Sequence, residues 1–367
     1  MSTPELPLLG YDAIGFQVGN ARQAAHFYRT AFGFRQIAYA GPETGVHDAV
    51  SYVLEQGDIR YVLTAGLTPE HPAVRHQARH GDGIHDIAFR VPDATAAFHA
   101  AVERGATPLH APETVGDTYG QVTIASIAVY GDTVHSFVER DDYHGVHLPG
   151  FVPVDGGPLA DRSPPVGLRA IDHVVANVPH GEMEPWTAFY ERILGFRELR
   201  HFDDETIATG YTALMSKVLA DGDGRIKLPI NEPANGVRRS QIQEYLDAYA
   251  GPGVQHLALT TDDIVATVRA LRARGVGFLA VPETYYADAR ERVGEVDESW
   301  ADLAELGILV DRDGEGYLLQ LFTEPVQDRP TIFYEIIQRH GARGFGVGNF
   351  RSLFEAIERA QAQRGNL

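Results

Sequence analysis

Apolar residues recur along this chain in two periods, and the same order of periods comes round more than once. Ile14-Gly15-Phe16-Gln17-Val18 reads as a strand, and a helical spacing follows from Ala21 to Phe32 and stops at Gly33. Within it, Phe27-Tyr28 and Gly33-Phe34 are separated by four residues. Ile171-Asp172-His173-Val174-Val175 reads as a second such strand, followed by a helix from Pro185 to Leu194. Phe189-Tyr190 and Gly195-Phe196 then recur at the same separation, displaced by 162 (189 minus 27).

A second pair of segments repeats at a displacement of 170 (253 minus 83). Gly83 to Ala88 leads into a helix from Asp93 to Arg104 that ends at Gly105. Gly253 to Ala258 leads into a helix from Asp263 to Arg274 that ends at Gly275. Each helix has Asp where an N-cap belongs and Gly where a left-handed C-terminal residue belongs. The chain therefore holds four strand–helix–strands units, two per half, and a repeat in register is stronger evidence than any single motif. His147 to Gly167 is proline-rich and aperiodic, which predicts domains over 1–150 and 168–367 joined by a linker over 151–167. A last helix, 350–363, presents Leu353, Phe354 and Ile357 on one face.

The candidate chemistry begins with Ile332-Phe333-Tyr334-Glu335-Ile336-Ile337, where a carboxylate interrupts an apolar run. A lone buried carboxylate is costly unless a cation meets it, either an Arg or Lys or a metal ion. The repeat acts as a control. Set side by side, the halves place His173 opposite Phe16, His256 opposite Asp86, and Glu335 near Phe137. Only the second half offers His, His and Glu, each mid-strand on an apolar face. Two His and one carboxylate suit a non-haem Fe(II) site with open positions, and Zn(II) is the competing metal.

Composition narrows the classes. The 367-residue chain carries a formal net charge of −19 and no Lys/Arg-rich run, so nucleic acid is not an expected partner. There is no cysteine, which removes disulfides, thiolate metal sites and a thiol nucleophile. No signal peptide and no membrane-spanning run is read, which makes the cytoplasm the expected location.

The second half resembles the 4-hydroxyphenylpyruvate dioxygenase family, two-domain members of the vicinal oxygen chelate superfamily. The resemblance rests on Ile171-Asp172-His173-Val174-Val175, Ser216-Lys217-Val218, Pro229-Ile230-Asn231-Glu232-Pro233, Ser240-Gln241-Ile242 and Gly253-Val254-Gln255-His256. Further matches are Gln327-Asp328-Arg329-Pro330, Phe333-Tyr334-Glu335-Ile336-Ile337, Gly344-Phe345-Gly346 and Gly348-Asn349-Phe350. It implies an α+β fold of four βαβββ modules paired into two open barrel-like domains, plus the C-terminal helix as a lid. Only the second domain would hold Fe(II), on His173, His256 and Glu335. The resemblance assigns Ser216, Asn231, Gln241 and Gln320 to the catalytic wall. It assigns Phe322, Phe345, Phe350, Asn349 and Gln255 to substrate binding, although strand alternation points Gln255 away from His256. It implies 4-hydroxyphenylpyruvate and O2 as substrates, with the 2-oxoacid chelating the metal and acting as its own reductant. Homodimers or homotetramers are implied as well.

Two other readings of the same sequence stand beside this one. A 4-hydroxymandelate synthase uses the same substrate and metal but oxidises the benzylic carbon; Phe322 and Pro229-Ile230-Asn231 favour ring hydroxylation. A metal-free protein that sequesters aromatic ligands is the non-enzymatic alternative, and the intact His/His/Glu set argues against it. Gly344 to Gly348 lacks the context of a dinucleotide loop, and Asp311 to Phe322 lacks the final Glu of a calcium loop. Asp313-Gly314 is better read as a hairpin turn.

Overall fold

The computed structural model describes residues 3–155, 163–202, 214–234 and 239–365, except the side chain of Arg351. The part of the linker over 156–162 lies outside them. In the first half the strands are β1 (Gly10–Gln17), β2 (Arg35–Ala40), β3 (Ala49–Gln56), β4 (Ile59–Gly66), β5 (Gly83–Arg90), β6 (Thr107–Asp117), β7 (Gly120–Ala128), β8 (Val134–Glu139) and β9 (Val152–Pro153). In the second they are β10 (Leu168–Asn177), β11 (Arg197–Phe202), β12 (Leu214–Ala220), β13 (Lys227–Pro233), β14 (Gly253–Thr261), β15 (Leu309–Arg312), β16 (Tyr317–Phe322) and β17 (Phe333–His340).

The two sheets share one topology. Their orders are β6-β7-β8-β5-β1-β4-β3-β2-β9 and β11-β12-β13-β10-β14-β17-β16-β15. In each, the first strands of two modules pair antiparallel at the centre (β1 with β5, β10 with β14), and each module's last strand lies parallel to its own first. These are the four βαβββ units expected from the repeat, curled into two half-barrels. The helix ends follow the sequence signals. Asp93 accepts from the amide of Ala96 and Asp263 from that of Ala266. Gly105 and Gly275 take φ of +98° and +86°, where a β-carbon would be strained.

Several features between the repeated segments were not legible, helices Pro72–His80 and Gln241–Tyr249 among them. Helices Thr284–Val293 and Trp300–Leu306 are inserted before β15. The proline-rich connection is also tied down at both ends: β9 pairs antiparallel with β2, and the amide of Val166 donates to Gln56 Oε1 (2.9 Å).

The halves share one apolar core. The recurring Phe-Tyr pair explains how they dock. Tyr334 donates to the hydroxyl of Tyr28 (2.7 Å), and Tyr190 lies 2.8 Å from His135 Nε2. The second contact is the first with the halves exchanged, because His135 and Tyr334 occupy matching positions on β8 and β17. Tyr334 thus faces the seam while its neighbour Glu335 faces the second cup. That two-sided burial is why the strand reads as an unbroken apolar run.

Candidate active site

Pairing along the sheets fixes the register that the sequence comparison could only approximate. Gly15 pairs with Asp86 and Val175 with His256; Asp86 pairs with Val134 and His256 with Phe333. Carried along the strands, this places Ala13 opposite His173 and Ser136 opposite Glu335. The expected counterparts Phe16 and Phe137 are therefore corrected to Ala13 and Ser136, while Asp86 holds its place. The reason is physical: strands buried on both faces offer apolar residues in either frame, and β-bulges shift the frame without a sequence marker. Ala13 supplies no donor, and Ser136 spends its hydroxyl on Asp86 (2.7 Å).

In the second cup, His173, His256 and Glu335 converge. Their ligand atoms lie within 4.8 Å of one another and all three residues are buried. Glu335 Oε2 is 3.2 Å from His173 Nε2 and 3.6 Å from His256 Nε2. Each imidazole is aimed by the residue before it. Pairing skips Asp172 between Ile171 and His173, and skips Gln255 between Val254 and His256, so both lie in bulges. The Asp172 carboxylate then sits 2.7 Å from His173 Nδ1, and Gln255 Oε1 sits 3.0 Å from His256 Nδ1. An acceptor on Nδ1 leaves the Nε2 lone pair facing the centre, the arrangement in which a metal-ligating His is oriented by its second nitrogen. The bulge also answers the objection to Gln255, which reaches the pocket despite strand alternation.

The three groups act strongly on one another's charge. Burial alone would push the Glu335 carboxyl up, but the charge of His173 and hydrogen bonds from both imidazoles hold it below its ordinary range. Burial likewise pulls His173 down, yet Glu335 and Asp172 outweigh it and raise its pKa. Asp172 is itself gripped by Arg339, whose guanidinium also donates to the carbonyl of Gly344 (2.7 Å) and lies over the Phe345 ring. Asp172 and Arg339 escaped the sequence reading; spacing hinted only at Arg339, four residues beyond Glu335 on the same face of its strand.

Above these donors lies a largely apolar pocket. Of the expected residues, Ser216, Asn231, Gln241, Gln255, Phe322, Phe345 and Phe350 line it with the three donors. Ser216 and Asn231 are cross-strand partners, and Asn231 donates to Asn177 (3.2 Å). Gln241 opens a helix capped by Ser240. Leu353, Phe354 and Ile357, the apolar face read for the last helix, close the pocket, and that helix spans Phe350–Gln363. Phe333, stacked on His256 at 4.7 Å, also lines it. Its position two residues before Glu335 could have revealed it.

Two expected residues do not reach the wall. Asn349 is fully buried, with Oδ1 2.6 Å from the Tyr285 hydroxyl and accepting from Arg292. A short 3-10 turn over Val347–Asn349 directs it toward the inserted helix Thr284–Val293, which the sequence did not reveal. Gln320 lies beneath Gly346, where a β-carbon would collide with its carboxamide. It supports the Phe345 loop from below.

Comparison with known proteins now decides the family. The profile described as "Hydroxyphenylpyruvate dioxygenase, HPPD, N-terminal" matches residues 4–148. The one described as "Glyoxalase/Bleomycin resistance protein/Dioxygenase superfamily" matches residues 170–321. A 4-hydroxyphenylpyruvate dioxygenase from Dictyostelium discoideum is 49% identical over 98% of this chain and 100% of its own length. The chain belongs to the 4-hydroxyphenylpyruvate dioxygenase family. A second member, from Yarrowia lipolytica, is 47% identical over 98% of this chain and 93% of its own. Among solved structures, a triple mutant of 4-hydroxymandelate synthase from Streptomyces coelicolor superimposes with a TM-score of 0.86 at 35% identity, covering 97% of this chain and all of that one. Membership makes the protein an enzyme of the dioxygenase type with a candidate His/His/Glu metal site. Among the described residues, no helix is long and apolar enough to cross a membrane.

Proposed function

We propose that this enzyme converts 4-hydroxyphenylpyruvate and O2 to homogentisate and CO2 with Fe(II) held by His173, His256 and Glu335. The observation that carries the reading is a three-donor cluster at the floor of an apolar pocket, in a chain 45–49% identical over nearly its whole length to relatives bearing that name. The donor set fits Fe(II): nitrogen and carboxylate oxygen without thiolate, both imidazoles aimed by their second nitrogens, and three positions left for substrate and oxygen. Bound Fe(II) would supply O2 activation and a Lewis-acidic anchor for the 2-oxoacid.

The remaining work falls to the protein's own side chains. Asp172 and Gln255 fix the imidazole tautomers. Phe322, Phe345 and Phe350 give the ring apolar walls, with edge and offset contacts worth ~0.5–1.5 kcal/mol each beyond area burial. Ser216, Asn231 and Gln241 receive the phenol hydroxyl, directly or through a hydrogen-bonded chain. Gln320 holds the Phe345 loop at its height. Leu353, Phe354 and Ile357 exclude water while the reaction runs. The reading includes a division into a structural domain over 1–150 whose cup lacks the catalytic metal, a linker over 151–167 and a catalytic domain over 168–367. It also includes a cytoplasmic homodimer or homotetramer.

The test is anaerobic reconstitution with Fe(II), addition of 4-hydroxyphenylpyruvate and O2, and identification of the separated product by NMR. Homogentisate is expected. 4-Hydroxymandelate, its isomer, would instead assign the benzylic oxidation and move the specificity argument to Phe322 and Pro229. Full turnover with Zn(II) in place of Fe(II) would overturn the metal.

A further inference from the structure

A second group of metal-type ligands lies outside the catalytic cup. Helix Pro72–His80 carries His76 and His80 four residues apart, hence on one face. Asp132, in the turn between β7 and β8, faces them, and the three ligand atoms lie within 4.8 Å of one another. We propose that His76, His80 and Asp132 form a second site for a borderline divalent cation such as Zn2+, at the seam between the halves.

Two observations carry this. The first concerns His80, which is 1% exposed. Its Nδ1 lies 2.5 Å from the carbonyl oxygen of Tyr249, which can only accept, so Nδ1 holds the proton. Its Nε2 then turns a lone pair toward Asp132 Oδ2, 2.8 Å away. Two lone-pair atoms at that distance need a cation between them, a proton or a metal ion. A backbone carbonyl on one ring nitrogen and a ligand position on the other is how metal-binding imidazoles are oriented, as at His173 and His256.

The second observation is His76. It is 5% exposed, and neither ring nitrogen has a hydrogen-bond partner among the described residues. Its ring lies 4.7 Å from that of His80. A proton between His80 and Asp132 leaves both His76 nitrogens unpaired, at a cost polar groups rarely bear when buried. A divalent ion takes one of them as a third ligand. Two imidazoles and a carboxylate with an open position suit Zn2+ chemistry. His85, whose Nδ1 is also unpartnered, packs edge-on against His76. Arg79 lies 3.6 Å from the other Asp132 oxygen and competes for the carboxylate, but it is 59% exposed and free to swing outward.

The site would serve the architecture. It ties a helix and a turn of the first half to Tyr249, which stacks on His80 at 4.3 Å and ends the helix that begins at Gln241 in the substrate pocket.

The test counts sites on the full-length protein by Zn2+ titration against a chromophoric chelator. The wild-type chain is expected to take two equivalents. His76→Gln and Asp132→Asn are each expected to take one, while keeping their circular dichroism and their Fe(II)-dependent turnover. His256→Ala is expected to keep the equivalent that His76→Gln loses. Asp132 is partly exposed, so its variant guards against loss of folding at the buried His76. One equivalent in the wild type, or the wild-type count in both His76→Gln and Asp132→Asn, would overturn the proposal.

Discussion

Arg339 grips both carboxylate oxygens of Asp172, at 2.8 Å each, and Asp172 in turn holds His173 at Nδ1. The same ion pair stands at the matching place in the first half, where Arg140 donates to Asp12 at 2.6 Å. There it supports Ala13 and no ligand. The pair therefore belongs to the scaffold of both cups, and the second cup uses it to orient an imidazole. Burial opposes the charge on Asp172, but His173 and Arg339 together hold its pKa well below the ordinary carboxylate range.

Replacing that charge weakens the metal site without touching a ligand. Asp172→Asn is expected to lower Fe(II) affinity by roughly 10–100-fold, the usual cost of losing such a support. A chelator-competition titration measures it, with circular dichroism to confirm the fold. Unchanged affinity would mean that Asp172 serves only Arg339.

Loss of a ligand has a larger effect. Glu335→Ala is expected to remove bound iron and lower kcat by about 1000-fold or more, several kcal/mol of barrier. Chelation of wild-type enzyme should give the same loss, reversed by Fe(II). Turnover surviving in iron-loaded Glu335→Ala would show that two imidazoles suffice.

The last helix lines the pocket with its apolar side, Leu353, Phe354 and Ile357. A chain ending at Phe350 is expected to lose about tenfold or more in kcat/KM, with a smaller effect on the melting of the two sheets. Steady-state kinetics beside thermal denaturation distinguish these effects. A fully active truncation would remove the helix from the mechanism.

Asp86, at the position of His256, gives the first half a pH dependence of its own. Burial pushes its carboxyl up to about 7, although Ser136 donates to it through both its amide and its hydroxyl. The nearby charge of Asp12 adds to the rise. A folded pKa above the unfolded one means that the folded state holds the proton more tightly. Its contribution is full below the ordinary carboxylate range and is lost as pH rises through about 7. Asp86→Asn is expected to flatten that part of the stability curve and to gain on the order of a few kcal/mol at pH 8. Denaturant midpoints of both proteins across pH 4 to 8 provide the comparison. A parallel pair of curves would place Asp86 in a more hydrated setting. Iron content should stay unchanged throughout, since among the described residues Asp86 belongs to no cluster of metal-type ligands.

The sequence by itself determined the repeat, the four modules, the helix limits set by Asp93, Gly105, Asp263 and Gly275, and the three donors His173, His256 and Glu335. These are properties of local pattern: periodicity, capping chemistry and the cost of burying a carboxylate all act within one strand or helix. Tertiary structure decided the rest. It placed Asp172 and Gln255 beside the ligands, because a β-bulge turns a residue that simple alternation sends outward. It replaced Phe16 and Phe137 by Ala13 and Ser136, because pairing with a distant strand sets the frame of a doubly buried one. It also took Asn349 out of the pocket, because its partners Tyr285 and Arg292 sit on an inserted helix about 60 residues earlier. Contacts between segments so far apart leave no period in the chain, so they become visible only once the chain has folded.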